Sequence, residues 1–288
     1  MNENHTTKGA ALIISSSLIY CLMGAMVKYA SHIDSYTVTL FRFVIGLAIL
    51  GSAAMSGRIK LNFVHNWLLF FRGLIGCTAV FIFFLSIAKI GLGKATVIGY
   101  MFPIFATILS AIFLREKITL KIAVAVLTAF LGIYLLTAGD NAGHSFFKDF
   151  GKYEALAILG AFLGGTAIVI IRKLHSTDSA YAIFFAQCTI GIWLMIMPAN
   201  MASTKIGFSG VILLLCIGLT AAIGQLMMTQ GYKYLNVATG SLLGMLTPAI
   251  NFIIGLTIFK EATTPTSIIG AIIVVASCTI VLSAKNKS

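Results

Sequence analysis

GYMFPIFATILSAIFLRE, from Gly99 to Glu116, and GMLTPAINFIIGLTIFKE, from Gly244 to Glu261, are two versions of one pattern. They begin 145 positions apart (244 minus 99). In each, a glycine is followed four residues later by proline: Gly99 by Pro103, Gly244 by Pro248. A mostly apolar run then ends in a basic–acidic pair, Arg115-Glu116 or Lys260-Glu261. In a helix, proline offers no N–H to the carbonyl four residues back, and its ring presses on that carbonyl. Glycine at that place relieves the crowding. A carbonyl freed in mid-membrane is tolerated only where protein or a watery cavity satisfies it. The pattern predicts a kinked helix in each half of the chain, hinged at its Gly/Pro pair and facing a shared interior.

The surrounding chain has 288 residues, 59% hydrophobic and only 10% charged. Soluble domains carry about 25% charged residues, so the composition is that of a membrane protein. A spanning helix needs about 20 apolar residues. Ten such runs are read, at 9–29, 36–56, 66–88, 93–114, 120–138, 153–172, 179–197, 208–231, 236–259 and 266–283. The net charge of +12 sits mainly at the ends of these runs, where basic residues anchor and orient spans. The lipid bilayer is therefore the expected partner, and nucleic acid is excluded. The polar N-terminus, MNENHTTKG, does not read as a signal peptide, so the first run stays as the first span.

The five cysteines (Cys21, Cys77, Cys188, Cys216, Cys278) are scattered, with no CxxC and no Cys/His spacing for zinc. No metal and no cofactor are expected. HExxH, GxSxG, a phosphate loop and an intramembrane Asp pair are all absent, so the sequence predicts no enzyme and no catalytic residue.

The longest connection, Gly139 to Gly151, separates two five-span halves, 8–138 and 152–284. Lys8 aligns with Lys152, Lys28 with Arg172 and Asp34-Ser35 with Asp178-Ser179, all 144 apart. Gly73 aligns with Gly218, and the Gly/Pro pairs with each other, 145 apart. Five is odd, so the second half must enter the membrane in the opposite sense. The predicted fold is an all-α integral membrane bundle of ten transmembrane helices as two inverted five-helix repeats, an arrangement used by transporters with midplane sites. Of the twenty Lys and Arg residues, eleven lie on the side of the termini, seven on the other, and Arg42 and Arg72 within spans. The bias places both termini in the cytoplasm.

Charge inside a span costs at least about 2.5–3.5 kcal/mol, which makes Arg42 and Arg72 the first functional candidates. Each is the seventh residue of its run, about 9–10 Å below the helix end. Two readings are open: an anchor whose stem reaches the interface, or a cavity cation for a substrate carboxylate or phosphate. Thr39 and Gly46 share the face of Arg42, and Gly76 that of Arg72; faces with small residues usually meet protein. Tyr20, Tyr100, Gln225 and Asn251 complete a candidate substrate-binding lining, each amide also able to serve as a helix–helix hydrogen bond. Gln187, Gln230 and Trp193 stand behind them. Glu116 and Glu261 read as helix-end acids at the water boundary. Two GxxxG matches, Gly160–Gly164 and Gly240–Gly244, are compatible with a monomer or a weak homodimer.

With these residues in view, the sequence resembles the drug/metabolite transporter superfamily, in its EamA-type ten-span permeases. The resemblance covers nearly the whole chain. It is carried by the two five-span halves, Arg42 in span two, the pattern P…(F/L)-x-E from Pro103 to Glu116 and Pro248 to Glu261, and Gly132 and Gly270. Arg72-Gly73 also resembles a subset of S-adenosylmethionine uptake carriers. The resemblance implies an inner-membrane carrier of amino acids, nucleosides, vitamins or other metabolites.

The expected function is alternating-access transport of a small polar metabolite, an amino acid or similar zwitterion first, with an S-adenosylmethionine or nucleoside-like substrate as the alternative. A non-transporting scaffold and an intramembrane lipid enzyme are the readings from other classes. All eight acidic residues and all five histidines lie in tails, loops or span ends. Arginine stays protonated at any relevant pH. Facilitated diffusion or exchange, without a tightly coupled proton, is therefore expected.

Overall fold

A computed structural model describes residues 3–30, 32–61, 63–64, 66–138, 151–202, 206–258, 260 and 263–285. They form twelve helices: α1 (Glu3–Tyr29), α2 (Ser35–Met55), α3 (Asn66–Ile90), α4 (Leu92–Gly99), α5 (Phe102–Phe113), α6 (Leu120–Ala138), α7 (Lys152–Leu174), α8 (Ala180–Met201), α9 (Phe208–Tyr234), α10 (Val237–Gly244), α11 (Leu246–Thr257) and α12 (Pro265–Lys285). Taking α4 with α5 and α10 with α11, ten helical stretches among the described residues are long and apolar enough to cross a membrane.

The two expected kinks are full breaks. At the end of α4, Tyr100 N–H still reaches the Thr96 carbonyl (2.9 Å), while Met101 N–H turns tighter onto Ile98 (3.0 Å). Pro103 then stands in the first turn of α5, where a missing N–H removes no helix bond. At the second break Met245 N–H bonds the Leu242 carbonyl (3.0 Å), and Pro248 falls in the first turn of α11. Two boundaries differ most from expectation: α1 begins at Glu3 rather than at 9, and span seven runs on past its proline. Span seven was expected to stop at 197, before Pro198, yet α8 continues to Met201 with Pro198 inside it. So close to the helix end, a proline removes one bond without redirecting the chain.

The main helix pairs each join one half to the other: α1 with α9, α6 with α12, α3 with α7 and α8, α2 with α8 and α9, and α5 with α7. Glycines let these pairs approach. A side chain at Gly73 would collide with Ile190, and one at Gly218 with Ile45. The two contacts exchange under one shift, since 218 minus 73 and 190 minus 45 are both 145. Gly46 against Cys188 and Gly191 against Phe43 exchange in the same way. Arg115 and Lys260, again 145 apart, both take left-handed backbone, with φ of 53° and 51°.

The pattern breaks around α10. This helix packs on α5 and on α6, whereas the equivalent pairs, α4 with α11 and α4 with α12, have no comparable packing. Seven of the eight residues of α10 are buried, Val237 to Leu243. They sit in a core with Ile133, Ile168, Ala249 and Val274. Large apolar side chains such as Leu127, Leu131, Ile272 and Ile280 face outward, as a lipid-embedded surface requires. Lipid is as apolar as leucine, so the bundle is held by close packing rather than by removal of apolar surface from water.

Candidate functional site

A cavity of about 310 Å³ lies between α3, the α4–α5 break, α7 and α9. Its lining includes Arg72, Gln187 and Gln225. Arg72 is 3% exposed, and its Nη2 donates to Gln187 Oε1 at 3.0 Å. Its Nε and Nη1 are buried without any hydrogen-bond partner. Gly76, one helical turn on, gives the guanidinium its seat, because a side chain there would run into it. Gln225 is 8% exposed, and its Oε1 accepts from Tyr20 Oη at 2.8 Å. The Tyr20 ring can lie so close because Gly224 is bare beneath it. Gln225 Nε2 has no partner.

The rest of the lining is mainly apolar. Phe83, Tyr100 and Phe102 face it, Phe83 packing on Gly99. Small residues of α7, among them Ala157, Gly160, Ala161 and Gly164, form a smooth wall. Among the described residues no acidic one stands in the lining, and the partner found for Arg72 is the neutral Gln187. The buried positive charge is thus left uncompensated. Arginine offers a planar fork of donors matched to a carboxylate, and a buried charge without such a partner is costly.

Of the residues expected at the site, Arg72, Tyr100, Gln225 and Gly99 line the cavity, and Tyr20 reaches it through Gln225. Arg42 is half-buried on α2, outside the lining, with its Nε buried and unpartnered. Tyr20, Cys77 and Cys188 lie within electrostatic reach of both arginines. Asn251 is exposed on α11, beside Gly24 of α1 and away from the lining. Trp193 is 73% exposed. Pro103 and Pro248 are buried at the breaks, and Gly244 has open space beside it. Gln187 proves to be the tether of Arg72; the available signal was its position 145 after Arg42. Of the two GxxxG pairs, Gly160 packs on Ile82, Gly164 on Phe102 and Gly240 on Tyr232, all inside the chain, and Gly244 has no such neighbour among the described residues.

Glu116 is more than an acid at the water boundary. Its Oε2 accepts from Val237 N–H, the first residue of α10, at 2.8 Å, and its Oε1 meets Arg172 Nε at 3.3 Å. Arg172 Nη1 in turn donates to the carbonyls of Tyr232 (3.0 Å) and Lys233 (2.6 Å) at the end of α9. This latch joins the halves at the end of the bundle nearer Arg72. At the other end Lys94 pairs with Glu154 at 2.6 Å. Glu261 lies outside the described residues.

Comparison with known proteins places this geometry. The chain is 25% identical over 288 residues to the pseudopaline exporter of Pseudomonas aeruginosa, covering 97% of each protein. It is 24% identical over 272 residues to the S-adenosylmethionine uptake transporter of Rickettsia bellii, covering 91% of this chain and 89% of that one. A crystal structure at 16% identity superposes with a TM-score of 0.79 over 98% of this chain and 99% of the other, which establishes the shared fold. The EamA-like transporter family matches residues 7–138 and 151–283, nearly the whole chain. A multi-pass membrane protein with a buried cation facing an inter-helix cavity, this chain belongs to the EamA-like transporter family and is a small-molecule transporter, not an enzyme.

Proposed function

We propose that the chain is an alternating-access carrier whose substrate presents an acidic group to Arg72. The observation that carries this reading is the buried guanidinium with two unpartnered N–H groups in the lining of the cavity, beside a helix break. The sequence reading favours an amino acid or similar zwitterion, and the polar residues of the cavity serve the acidic half of such a molecule. Access to one side at a time is supported by the exchange of contacts under a shift of 145, which fits inverted repeats. It is supported equally by pairings that fail to exchange, α10 on α5 and α6 without α4 on α11 and α12. Swapping those arrangements between the halves would close the open end and open the closed one. With both termini in the cytoplasm of a cell whose inner membrane holds the carrier, the Glu116–Arg172 latch closes the inner end.

The experiment is uptake into proteoliposomes from a mixed metabolite pool, read by mass spectrometry, for wild type and Arg72→Ala. The expected result is accumulation of acidic or zwitterionic metabolites that disappears with the arginine. A pool in which nothing moves in an Arg72-dependent way ends the proposal.

A further inference from the structure

We infer that the ligand of this cavity is an organic monocarboxylate with a flat, apolar body and no ammonium group. The inference rests on the cavity's being the transport site, and narrows its substrate class from amino acids to ring-bearing acids without an amino function.

The first ground is the balance of donors and acceptors. Three buried N–H-bearing atoms of the lining residues are without partners: Arg72 Nε, Arg72 Nη1 and Gln225 Nε2. They call for acceptors from the ligand. The side-chain amide oxygens beside them each already accept one hydrogen bond, Gln187 Oε1 from Arg72 and Gln225 Oε1 from Tyr20, whereas the three donors have none. Ser86, farther along the lining, gives its hydroxyl proton to the Ile82 carbonyl of its own helix. An ammonium brings three donors and no acceptor.

The second ground is charge. Among the described residues the lining holds Arg72 and no carboxylate, and Arg42 lies close enough to share Tyr20 as an electrostatic neighbour. A desolvated cation there meets like charge without a counter-ion, which low-dielectric surroundings make unfavourable. Gln187 matters for this reason. As a neutral tether it fixes the guanidinium while leaving its charge uncancelled, which a glutamate in the same place would not do.

The third ground is shape. The apolar part of the lining combines aromatic rings, Phe83, Tyr100 and Phe102, with the methyl groups of Ala157 and Ala161 of α7. A volume of about 310 Å³ is at the small end of ligand sites, roughly 300–1,000 Å³. A planar ring fits among such surfaces.

The test uses a matched pair, 3-phenylpropionate and phenylalanine, which share a carbon skeleton and differ in the ammonium. Equilibrium binding of each radiolabelled compound to the purified full chain is compared for wild type, Arg72→Ala and Gln187→Glu, with size-exclusion profiles to check folding. Wild type is expected to bind 3-phenylpropionate about tenfold or more tighter than phenylalanine, the factor attached to one charge-assisted contact. Arg72→Ala is expected to lose that binding. Gln187→Glu, which cancels the charge with an isosteric side chain, is expected to shift the affinity ratio about tenfold toward phenylalanine. Equal or tighter binding of phenylalanine by wild type, no saturable binding of 3-phenylpropionate, or an unmoved ratio in Gln187→Glu overturns the inference. Arg72-dependent uptake of amino acids in the mixed-pool experiment would then still stand, so the two readings fail separately.

Discussion

α4 and α10 hold equivalent places in the two halves, each ending in a glycine four residues before a proline, and they live differently. α10 is packed on α5 and enclosed, with Leu242, Leu243 and Met245 all fully buried. Its N-terminus is capped by Glu116 from the other half and by Asn236 beside it, which accepts from Thr239 N–H at 3.0 Å. α4 has Ala95, Val97 and Ile98 buried but ends at the cavity, and its N-cap Gly91 brings no side chain. The polar residues differ in the same way. Arg72 has Ile217 as its counterpart 145 on, and Gln225 has Val80 the same distance back. The repeat thus reproduces the backbone twice and the chemistry once. A duplicated scaffold supplies two breaks, and the placement of a few polar side chains decides which of them faces a substrate.

The sharpest way to break this comparison is Arg72→Ala. Near-complete loss of transport is expected, with Arg72→Lys keeping the charge but losing the fork and raising KM about tenfold. Full activity in the alanine variant would remove any difference in kind between the two breaks. Next in size is Leu242→Ala, in the enclosed helix. A cavity there should cost about 2–5 kcal/mol, seen as a lower Tm, with unchanged affinity for whatever substrate the wild type moves. A smaller effect is expected from the prolines. Pro103→Ala and Pro248→Ala each supply the N–H that a helix continuous across the break would need, and each should slow transport several-fold while Tm holds. The greater slowing is expected at Pro103, whose break lines the cavity. Unchanged turnover in both would make the prolines packing features. The smallest expected effect is none: a pH gradient across proteoliposomes, with no substrate gradient, should produce no sustained accumulation. Uphill uptake that collapses with a protonophore would instead direct mutagenesis to Glu116 and Glu261.

Much of this was legible in the sequence because its causes are local. Proline's missing N–H and the glycine four residues before it locate a break whatever surrounds them, and both breaks stand where the pattern put them. Arg72 was conspicuous because charge in an apolar run demands a reason, and Gly76 one turn on marked the same face. Asn251 shows the limit. It follows Pro248 as closely as Ala106 follows Pro103, but α11 lacks the partner that would turn its face inward, so Asn251 is exposed. Gln187 was underrated because an isolated amide in a span reads equally as a bond between helices. Its importance comes from a partner 115 residues away, which no local pattern encodes.

The Glu116–Arg172 latch has a consequence for the water around the protein. The carboxylate sits at the start of α10 and the guanidinium at the end of α9, so each helix terminus meets a charge opposite to its own dipole. In the alternating-access cycle proposed above, opening that end would take the partners from the Val237 N–H and the Tyr232 and Lys233 carbonyls together with both ions, and water would have to take over every bond. On that proposal the balance between the two access states is partly a hydration equilibrium. Solutes excluded from protein surfaces, which disfavour newly wetted area, should hold this end shut, so that osmotic conditions bias the resting direction in which the carrier faces.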